Sequence, residues 1–268
     1  MSGGRLGFGL AAAVGPAVAA AVAPEVEHLG YATIWTNDTP GADGLVVARA
    51  MLEATERIRV GVGVIPCDAR SADTIAADLE HLGIPLERLV LGVGSGRSRR
   101  PLDDVRLAVA TLRRTTGPTV VVAVAALGPR MCRLAGEVAD VVLLNLMTPA
   151  RIAWARERVA ESGRRAGRPS GAPEVAAYVR VAVGAGARDR LAAEASRYLR
   201  IPQYARSFEA MHVEPATVGV AAADAAAAAA GLGAYRALCD ETVVRALLDP
   251  ADLAAGLLAV ARAAAPSA

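Results

Sequence analysis

Short apolar segments alternate with longer segments of helical periodicity along the first two thirds of the chain. The apolar segments are predicted strands, because a strand buried on both faces is a near-continuous run of aliphatic residues. The longer segments place apolar residues three or four positions apart, which indicates amphipathic helices. The predicted strands are 6–10, 31–36, 58–65, 88–93, 119–126, 140–146 and 174–183. The predicted helices are 16–29, 44–56, 73–82, 102–114, 129–139 and 149–162.

This alternation predicts an α/β protein with a buried parallel sheet. The predicted units fit a (β/α)8 TIM-type barrel, as one domain over 1–268, better than a doubly wound sheet. From about residue 187 the chain is predicted to be mostly helical, with helical stretches at 189–211 and 241–264. No eighth strand is evident in that part, so an incomplete or open barrel is an alternative. A weak strand near 216–221 is the candidate for closing the barrel.

Charge and composition exclude several classes of partner. The net charge is only +2, and no basic stripe is interleaved with aromatic residues, so we expect no nucleic-acid partner. No charge-free run reaches the length of a membrane span. The alanine-rich segment 10–24 lacks the charged start and the cleavage pattern of a signal peptide. We therefore expect a cytoplasmic protein without a membrane partner.

The residue types also exclude some chemistry. All of the positive charge is arginine, because the sequence contains no lysine. A lysine Schiff base and the P-loop both require lysine, so neither is available. The three cysteines lie far apart and match no zinc-binding spacing, and we therefore expect no metal site.

Two predicted strands end in alternating glycines, RIRVGVGVIP at 57–66 and RLVLGVGSGR at 88–97. Glycine lets the backbone approach a ligand closely or take angles that other residues avoid. Both runs lead into a helix, so the glycines lie at the carboxyl ends of parallel strands, where α/β proteins bind cofactors. A nicotinamide-binding site is a weaker interpretation, because the second run follows the fourth strand and no acidic residue stands about 20 positions later.

Several segments resemble the bacterial luciferase-like monooxygenase superfamily, in the branch that uses the deazaflavin coenzyme F420. They are EHLGYATIWTND at 27–38, LEATERIRVGVGV at 52–64, RLVLGVGSG at 88–96, AALGPRM at 125–131 and AGEVAD at 135–140. The resemblance covers about 6–208, and YLRIPQY at 198–204 is similar to an actinobacterial-type subgroup. It implies a (β/α)8 barrel and an oxidoreductase that transfers a hydride between F420 and a small organic substrate. We also expect a homodimer.

The resemblance implies roles for residues beside the cofactor ring. Gly63-Val64 falls at the family's non-prolyl cis peptide, a bulge that backs the ring. Asp38 matches the acidic residue that contacts the ring, and it is the catalytic candidate together with Trp35. Simpler interpretations are an ordinary strand glycine at Gly63, a turn-forming Asp38 and a barrel-core Trp35.

A second group of residues is expected to hold the cofactor's phosphate. Gly128, Pro129 and Arg130 open a helix directly after a strand, where free amides and the helix dipole attract anions. The family binds the phosphate in this neighbourhood, with help from the position of Asn145; a simple helix start is the alternative. The implied cofactor-binding candidates are Asp38, Gly63, Val64, Gly94, Ser95, Gly96, Arg97, Leu127, Gly128, Pro129, Arg130 and Asn145.

Two positions depart from the family's pattern. Thr39 stands where a histidine usually follows the acidic residue, and Arg97 stands where sugar-phosphate-oxidising members place a glutamate. Threonine cannot act as an acid or base near neutral pH. Arg97, Arg99 and Arg100 form a basic loop that suits the coenzyme's acidic oligoglutamate tail, and a solvated surface loop is the alternative interpretation. Two alternatives are therefore kept: an FMN-dependent monooxygenase of the same superfamily, and a degenerate barrel that binds a cofactor or partner without turnover.

Overall fold

The strands and helices alternate as predicted as far as residue 183, in a computed structural model that describes residues 3–168, 171–248 and 253–266. The strands are β1 Arg5–Gly9, β2 Thr33–Thr36, β3 Arg59–Pro66, β4 Leu89–Gly94, β5 Val121–Ala125, β6 Val141–Asn145, β7 Glu174–Val183, β8 Val220–Ala222 and β9 Glu241–Ala246. The α-helices are α1 Pro16–His28, α2 Gly44–Glu53, α3 Ala72–His81, α4 Pro101–Thr116, α5 Pro129–Val138, α6 Pro149–Arg165, α7 Ala187–Leu199, α8 Pro202–Met211, α9 Ala225–Arg236 and α10 Leu253–Ala263.

Within the described residues, eight parallel strands close into a barrel, in the order β1 to β7 and then β9. β9 closes the barrel, because it pairs with β1 on one edge and with β7 on the other. The (β/α)8 fold is confirmed and the open-barrel alternative is wrong. The helical prediction for 241–264 is also wrong over its first residues, which form β9. Glu241 and Arg245 interrupt the apolar run of this strand, so it lacks the aliphatic pattern of the other strands.

The remainder of the C-terminal part corrects two further predictions. The weak strand expected near 216–221 exists as β8, but it pairs only with residues 181–183 of β7, beyond the end of β6. It lies outside the closed ring. The helical stretch expected over 189–211 is two helices, because Pro202 at the first position of α8 has no amide hydrogen with which to continue α7.

Glycines make room for large side chains inside the barrel. A Cβ atom added to Gly61 would overlap the indole ring of Trp35, and one added to Gly63 would lie 2.5 Å from Tyr178 Oη. The rings of Trp35 and Tyr178 meet edge to face, with centroids 5.9 Å apart. Around them lies an apolar layer that fills the middle of the barrel, to which Val90, Ala123, Val141, Leu143, Ala176 and Val243 contribute.

A buried carboxyl group lies below this layer, at the amino end of the barrel. Glu241 is 5% exposed, and its Oε1 accepts hydrogen bonds from Trp35 Nε1 at 2.7 Å and from the Thr33 hydroxyl. Gly7 leaves the necessary space, because a Cβ there would overlap the carboxyl group. Among the described residues, no arginine lies within ion-pair distance of Glu241. Burial raises the pKa of Glu241, and the hydrogen bonds from Thr33 and Trp35 offset part of that rise.

The helices cover the outside of the barrel and bury a second, larger apolar layer against the strands. α10 packs on α1, and Tyr31 Oη donates to the carbonyl oxygen of Ala261 at 2.8 Å. In the part of the chain that the structure describes, none of the helices has both the length and the apolar character needed to cross a bilayer.

We expect Glu241→Gln to raise the melting temperature at about pH 8 and to leave it unchanged near about pH 4. The pKa of Glu241 is raised in the folded state, so ionisation above the unfolded-state value of about 4.3 destabilises the fold. Glutamine keeps an oxygen for Trp35 Nε1 and removes the charge. Melting curves across this pH range measure the difference in melting temperature between Glu241→Gln and the wild type. Glu53→Gln on the surface of α2 is the control. Parallel pH profiles for wild type and Glu241→Gln would contradict the raised pKa.

Gly61→Ala is expected to destabilise the barrel by about 1–3 kcal/mol, the usual range for overpacking a filled core. The added methyl group would overlap the ring of Trp35, which is fully buried and has little freedom to move. Gly128→Ala is the matched control, since no described atom beyond its chain neighbours lies within 4 Å of a Cβ there. Urea unfolding compares the two variants, and equal midpoints would show that the interior tolerates the methyl group.

Candidate active site

Two adjoining cavities open at the carboxyl ends of the barrel strands and form one continuous cleft. The central cavity has a volume of about 150 Å³ and the outer cavity about 630 Å³. Residues bordering both are Val64, Pro66, Ala125, Leu143, Asn145 and Tyr204. The central cavity is further lined by Asn37, Asp38, Tyr178, Arg180, Tyr198 and Arg245. The outer cavity is further lined by Gly94, Ser95, Gly96, residues 127–130 and two residues of α8.

The cleft floor contains the predicted cis peptide. The bond between Gly63 and Val64 is cis, and the register of β3 on β4 shifts between Val62 and Ile65, as expected for a bulge. Gly63 borders the central cavity, and Val64 borders both cavities. The prediction of a cis bond at a strand bulge is confirmed, and Val64 lies where the two cavities adjoin.

Asp38 lies where β2 leads toward α2, and it borders the central cavity. Its Oδ1 accepts a hydrogen bond from the amide of Gly44 at 2.7 Å, and its Oδ2 lies 3.9 Å from Arg70 Nη2. Burial raises the pKa of Asp38, although the Gly44 amide and Arg70 oppose that rise. The side chain therefore supports the loop, as the turn interpretation expected, and also presents a carboxyl group to the cavity. Thr39 pairs with Ala42 in the same loop.

Trp35 lies one layer beneath the cleft. It is 1% exposed, and its ring contacts the positions where Gly61 and Gly63 would carry a Cβ atom. Its Nε1 is bonded to Glu241 and Thr33 at the opposite end of the barrel. The ring belongs to the apolar layer in the middle of the barrel, so Trp35 supports the floor of the cleft and is not among the residues that line either cavity.

The outer cavity brings together two predicted loops. Gly128 is the N-cap of α5, with Pro129 at the first helical position, and faces the loop that follows β4. Gly96 has a φ of 55° and packs against Asp68, whose Oδ2 accepts the amide of Arg97 at 2.8 Å. The side chain of Arg97 is exposed outside the cleft, so this candidate joins the loop through its backbone.

Asn145 connects the wall of the cleft to its cover. Its Oδ1 accepts from Arg180 Nη1 at 2.7 Å, and its Nδ2 donates to Tyr204 Oη at 2.7 Å. Tyr198 and Tyr204 come from α7 and α8, and their rings meet edge to face with centroids 4.6 Å apart. These two helices therefore cover the cleft between the central and outer cavities.

Sequence reasoning missed three polar residues of the central cavity, among them both of its arginines. Tyr178 and Arg180 on β7, and Arg245 on β9, all face inward at the carboxyl end of the barrel. Arg180 was visible as a charged residue within a predicted buried strand, which is a useful signal because buried charges are rare. Arg245 gave no such signal, since its strand was predicted to be helical.

Comparison with known proteins agrees with this architecture. The sequence matches the family described as luciferase-like monooxygenase over residues 1–104 and 103–265. It is 26% identical over 186 residues to 5,10-methylenetetrahydromethanopterin reductase of Methanolobus tindarius, and this match spans 57% of each protein. The chain thus spans little more than half the length of that relative.

The fold is also similar to solved structures. The coenzyme F420-dependent tetrahydromethanopterin reductase of Methanopyrus kandleri matches with a TM-score of 0.75 at 15% identity, over 97% of this chain and 98% of that one. The oxygenating constituent of 3,6-diketocamphane monooxygenase from Pseudomonas putida, in complex with FMN, matches with a TM-score of 0.70 at 14% identity, over 99% and 98%. Such low identities show the fold alone. Because the family match extends over nearly the whole sequence, this chain belongs to the luciferase-like monooxygenase family.

Proposed function

We propose that this protein is an oxidoreductase that transfers a hydride between the deazaflavin coenzyme F420 and a small organic substrate. One observation carries the proposal: a single cleft joins the strand bulge at Gly63-Val64 to the free helix start at Gly128. A tricyclic ring and a phosphate group on one cofactor would need these two features at a distance from each other. The Methanopyrus reductase of the same fold is F420-dependent.

The middle of the cleft, where the two cavities adjoin, suits a flat ring. Val64 supplies an apolar floor between the two cavities, while Ala125 and Leu143 supply a low wall without large side chains. When bound, F420 would supply the hydride chemistry, and the protein would position the ring and exclude water. Among the described residues that line the two cavities, Asp38 is the acidic one, and burial raises the pKa of its carboxyl group.

The outer end suits a phosphate group. Gly128 opens α5, and the first turn of a helix leaves amide hydrogens without partners inside the helix. These donors and the helix dipole attract an anion. The absence of a side chain at Gly128 leaves the approach open, because no described atom apart from its chain neighbours lies within 4 Å of a Cβ position.

Exposed arginines surround the mouth of the outer cavity, which favours F420 over FMN. Arg130 and Arg206 line the cavity, and Arg97 and Arg99 are exposed on the adjacent loop after β4. Guanidinium groups pair well with carboxylates, and F420 carries an acidic oligoglutamate tail that FMN lacks. FMN remains the alternative cofactor, because the Pseudomonas protein of this fold was solved with FMN. The homodimer and the cytoplasmic location stay predictions.

Gly128→Leu is expected to weaken F420 binding by about tenfold or more, because the side chain would occupy the approach to the helix start. The melting temperature should change little, since the position is open. A fluorescence titration with F420, run beside a melting curve, measures both quantities. Gly233→Leu on α9 is the matched control, because a Cβ there is equally uncrowded and lies outside the cleft. Unchanged affinity with a native melt would place the phosphate elsewhere.

We expect the wild-type protein to bind F420 more tightly than FMN, and the preference to shrink as salt is raised. Salt screens the attraction between exposed charges. The screening length is about 10 Å at 0.1 M salt and becomes shorter as salt is added, so charge pairs farther apart than this length lose their attraction. Parallel titrations of the two cofactors at low and high salt measure the effect. FMN binding as tight as F420 would favour the flavin monooxygenase, and tight F420 binding without turnover of any substrate would favour the degenerate barrel.

A further inference from the structure

Two arginines lie side by side in the central cavity. Arg180 on β7 and Arg245 on β9 are register partners, and both line the cavity. Closing the barrel forces them together, because alternate residues of neighbouring strands face the same side. Two like charges in one small cavity are unfavourable unless other groups compensate them. The groups that surround Arg180 differ from those that surround Arg245, and this difference makes Arg245 the candidate for binding a ligand.

Arg180 has an anionic partner within the protein, Glu194, which also pairs with the exposed Arg197. Its Nε lies 2.9 Å from Glu194 Oε1, and its Nη atoms donate to Asn145 Oδ1 at 2.7 Å and Tyr198 Oη at 2.8 Å. The side chain is 2% exposed. A buried guanidinium whose three nitrogens each have a partner, one of them a carboxylate, is a structural group that orders the wall of the cavity.

Arg245 has no anionic partner within ion-pair distance among the described residues. Its Nη2 donates to Asn37 Oδ1, a neutral amide, at 2.8 Å. Its guanidinium carbon lies 5.8 Å from the ring centroid of Tyr178, a contact that compensates little of the charge. Burial and the nearby charge of Arg180 lower the pKa of Arg245, as expected for a cation that lacks an anion.

The acid in the same cavity does not fill this role. Asp38 accepts the amide of Gly44 and faces Arg70, and Arg70 also contacts Asp43 and Asp78. Asp38 is therefore occupied on the β2 side of the cavity. Within the described part of the chain, the guanidinium of Arg245 uses one of its five N–H groups, for Asn37, so donors remain for a ligand in the cavity that it lines.

We propose that Arg245 binds a carboxylate group of the substrate, so that the enzyme acts on small organic acids. This inference rests on the proposed function, since it assigns the central cavity to the substrate. The planar fork of arginine matches a carboxylate with two parallel hydrogen bonds. A cavity of about 150 Å³ admits a short acid, and the rings of Tyr178, Tyr198 and Tyr204 would pack against its hydrocarbon part.

The test compares two ligands that differ in charge and have nearly the same shape. Butyrate and butyramide are titrated into the full-length wild-type protein by ligand-observed NMR, without coenzyme. Butyrate should bind saturably and about tenfold or more tightly than butyramide, as expected for hydrogen bonds to a charged group. Equal binding of the two ligands would overturn the proposal, and so would inorganic phosphate binding more tightly than butyrate.

Variants assign the effect to one side chain. Arg245→Met should lose about tenfold or more of the butyrate affinity, while Arg245→Lys keeps part of it. Arg188→Met on the exposed start of α7 removes the same charge outside the cleft and should bind butyrate like the wild type. Arg245→Met should melt at or above the wild-type temperature, because it removes a buried charge without an anionic partner. If Arg245→Met does not fold, the butyrate and butyramide titrations of the wild type and of Arg245→Lys still test whether Arg245 binds the carboxylate.

A separate F420 titration keeps the two proposals distinct. If the wild-type protein binds F420 but binds butyrate and butyramide equally, the carboxylate assignment is wrong and the proposed function stands. Failure to bind F420, with selective butyrate binding through Arg245, would remove the proposed cofactor and leave an acid-binding cavity. With F420 bound, butyrate affinity should persist in the wild type and stay low in Arg245→Met.

Discussion

The limited space inside the barrel is the constraint on which the rest of the structure depends. β9 sends Glu241 and Arg245 into that space, and they fit because β1 contributes glycines at neighbouring positions. β3 does the same for Trp35 and Tyr178 with Gly61 and Gly63. The apolar layer therefore fills the middle of the barrel, and polar groups are left at its two ends. The cleft is the space that remains above that layer.

The walls and the cover of the cleft come from different elements. Gly63, Arg180 and Arg245 belong to strands, which are held on both edges by neighbouring strands. Tyr198 and Tyr204 belong to two short helices that reach the barrel through hydrogen bonds to Arg180 and Asn145. Groups fixed by strands keep their positions before a ligand arrives, which reduces the cost of ordering them on binding. Tyr198 and Tyr204, which cover the cleft, lie on helices and are not held by strand pairing.

The sequence predicted features that depend on neighbouring residues and missed those that depend on closure. The strand–helix order and the helix start at Gly128 follow from short local patterns, whereas the bulge at Gly63-Val64 was expected from the family resemblance. β9 was missed because its inward-facing charges make sense only inside a closed barrel. For Trp35 two interpretations were open, beside the ring or in the barrel core, and its register on β2 places it in the core. Tyr204 was not expected in the cleft, because a break before α8 determines where it points.

The position of Trp35 also has an optical consequence. The sequence contains two tryptophans, and they lie in very different surroundings. Trp154 is on α6, with the guanidinium groups of Arg151 and Arg158 at 3.4 and 4.1 Å from its ring centroid. Trp35 is enclosed directly beneath Gly63, with its Nε1 bonded to a buried carboxyl group. A chromophore that settles on the cleft floor would lie close enough to quench Trp35, so the protein's own emission would register occupation of the cleft.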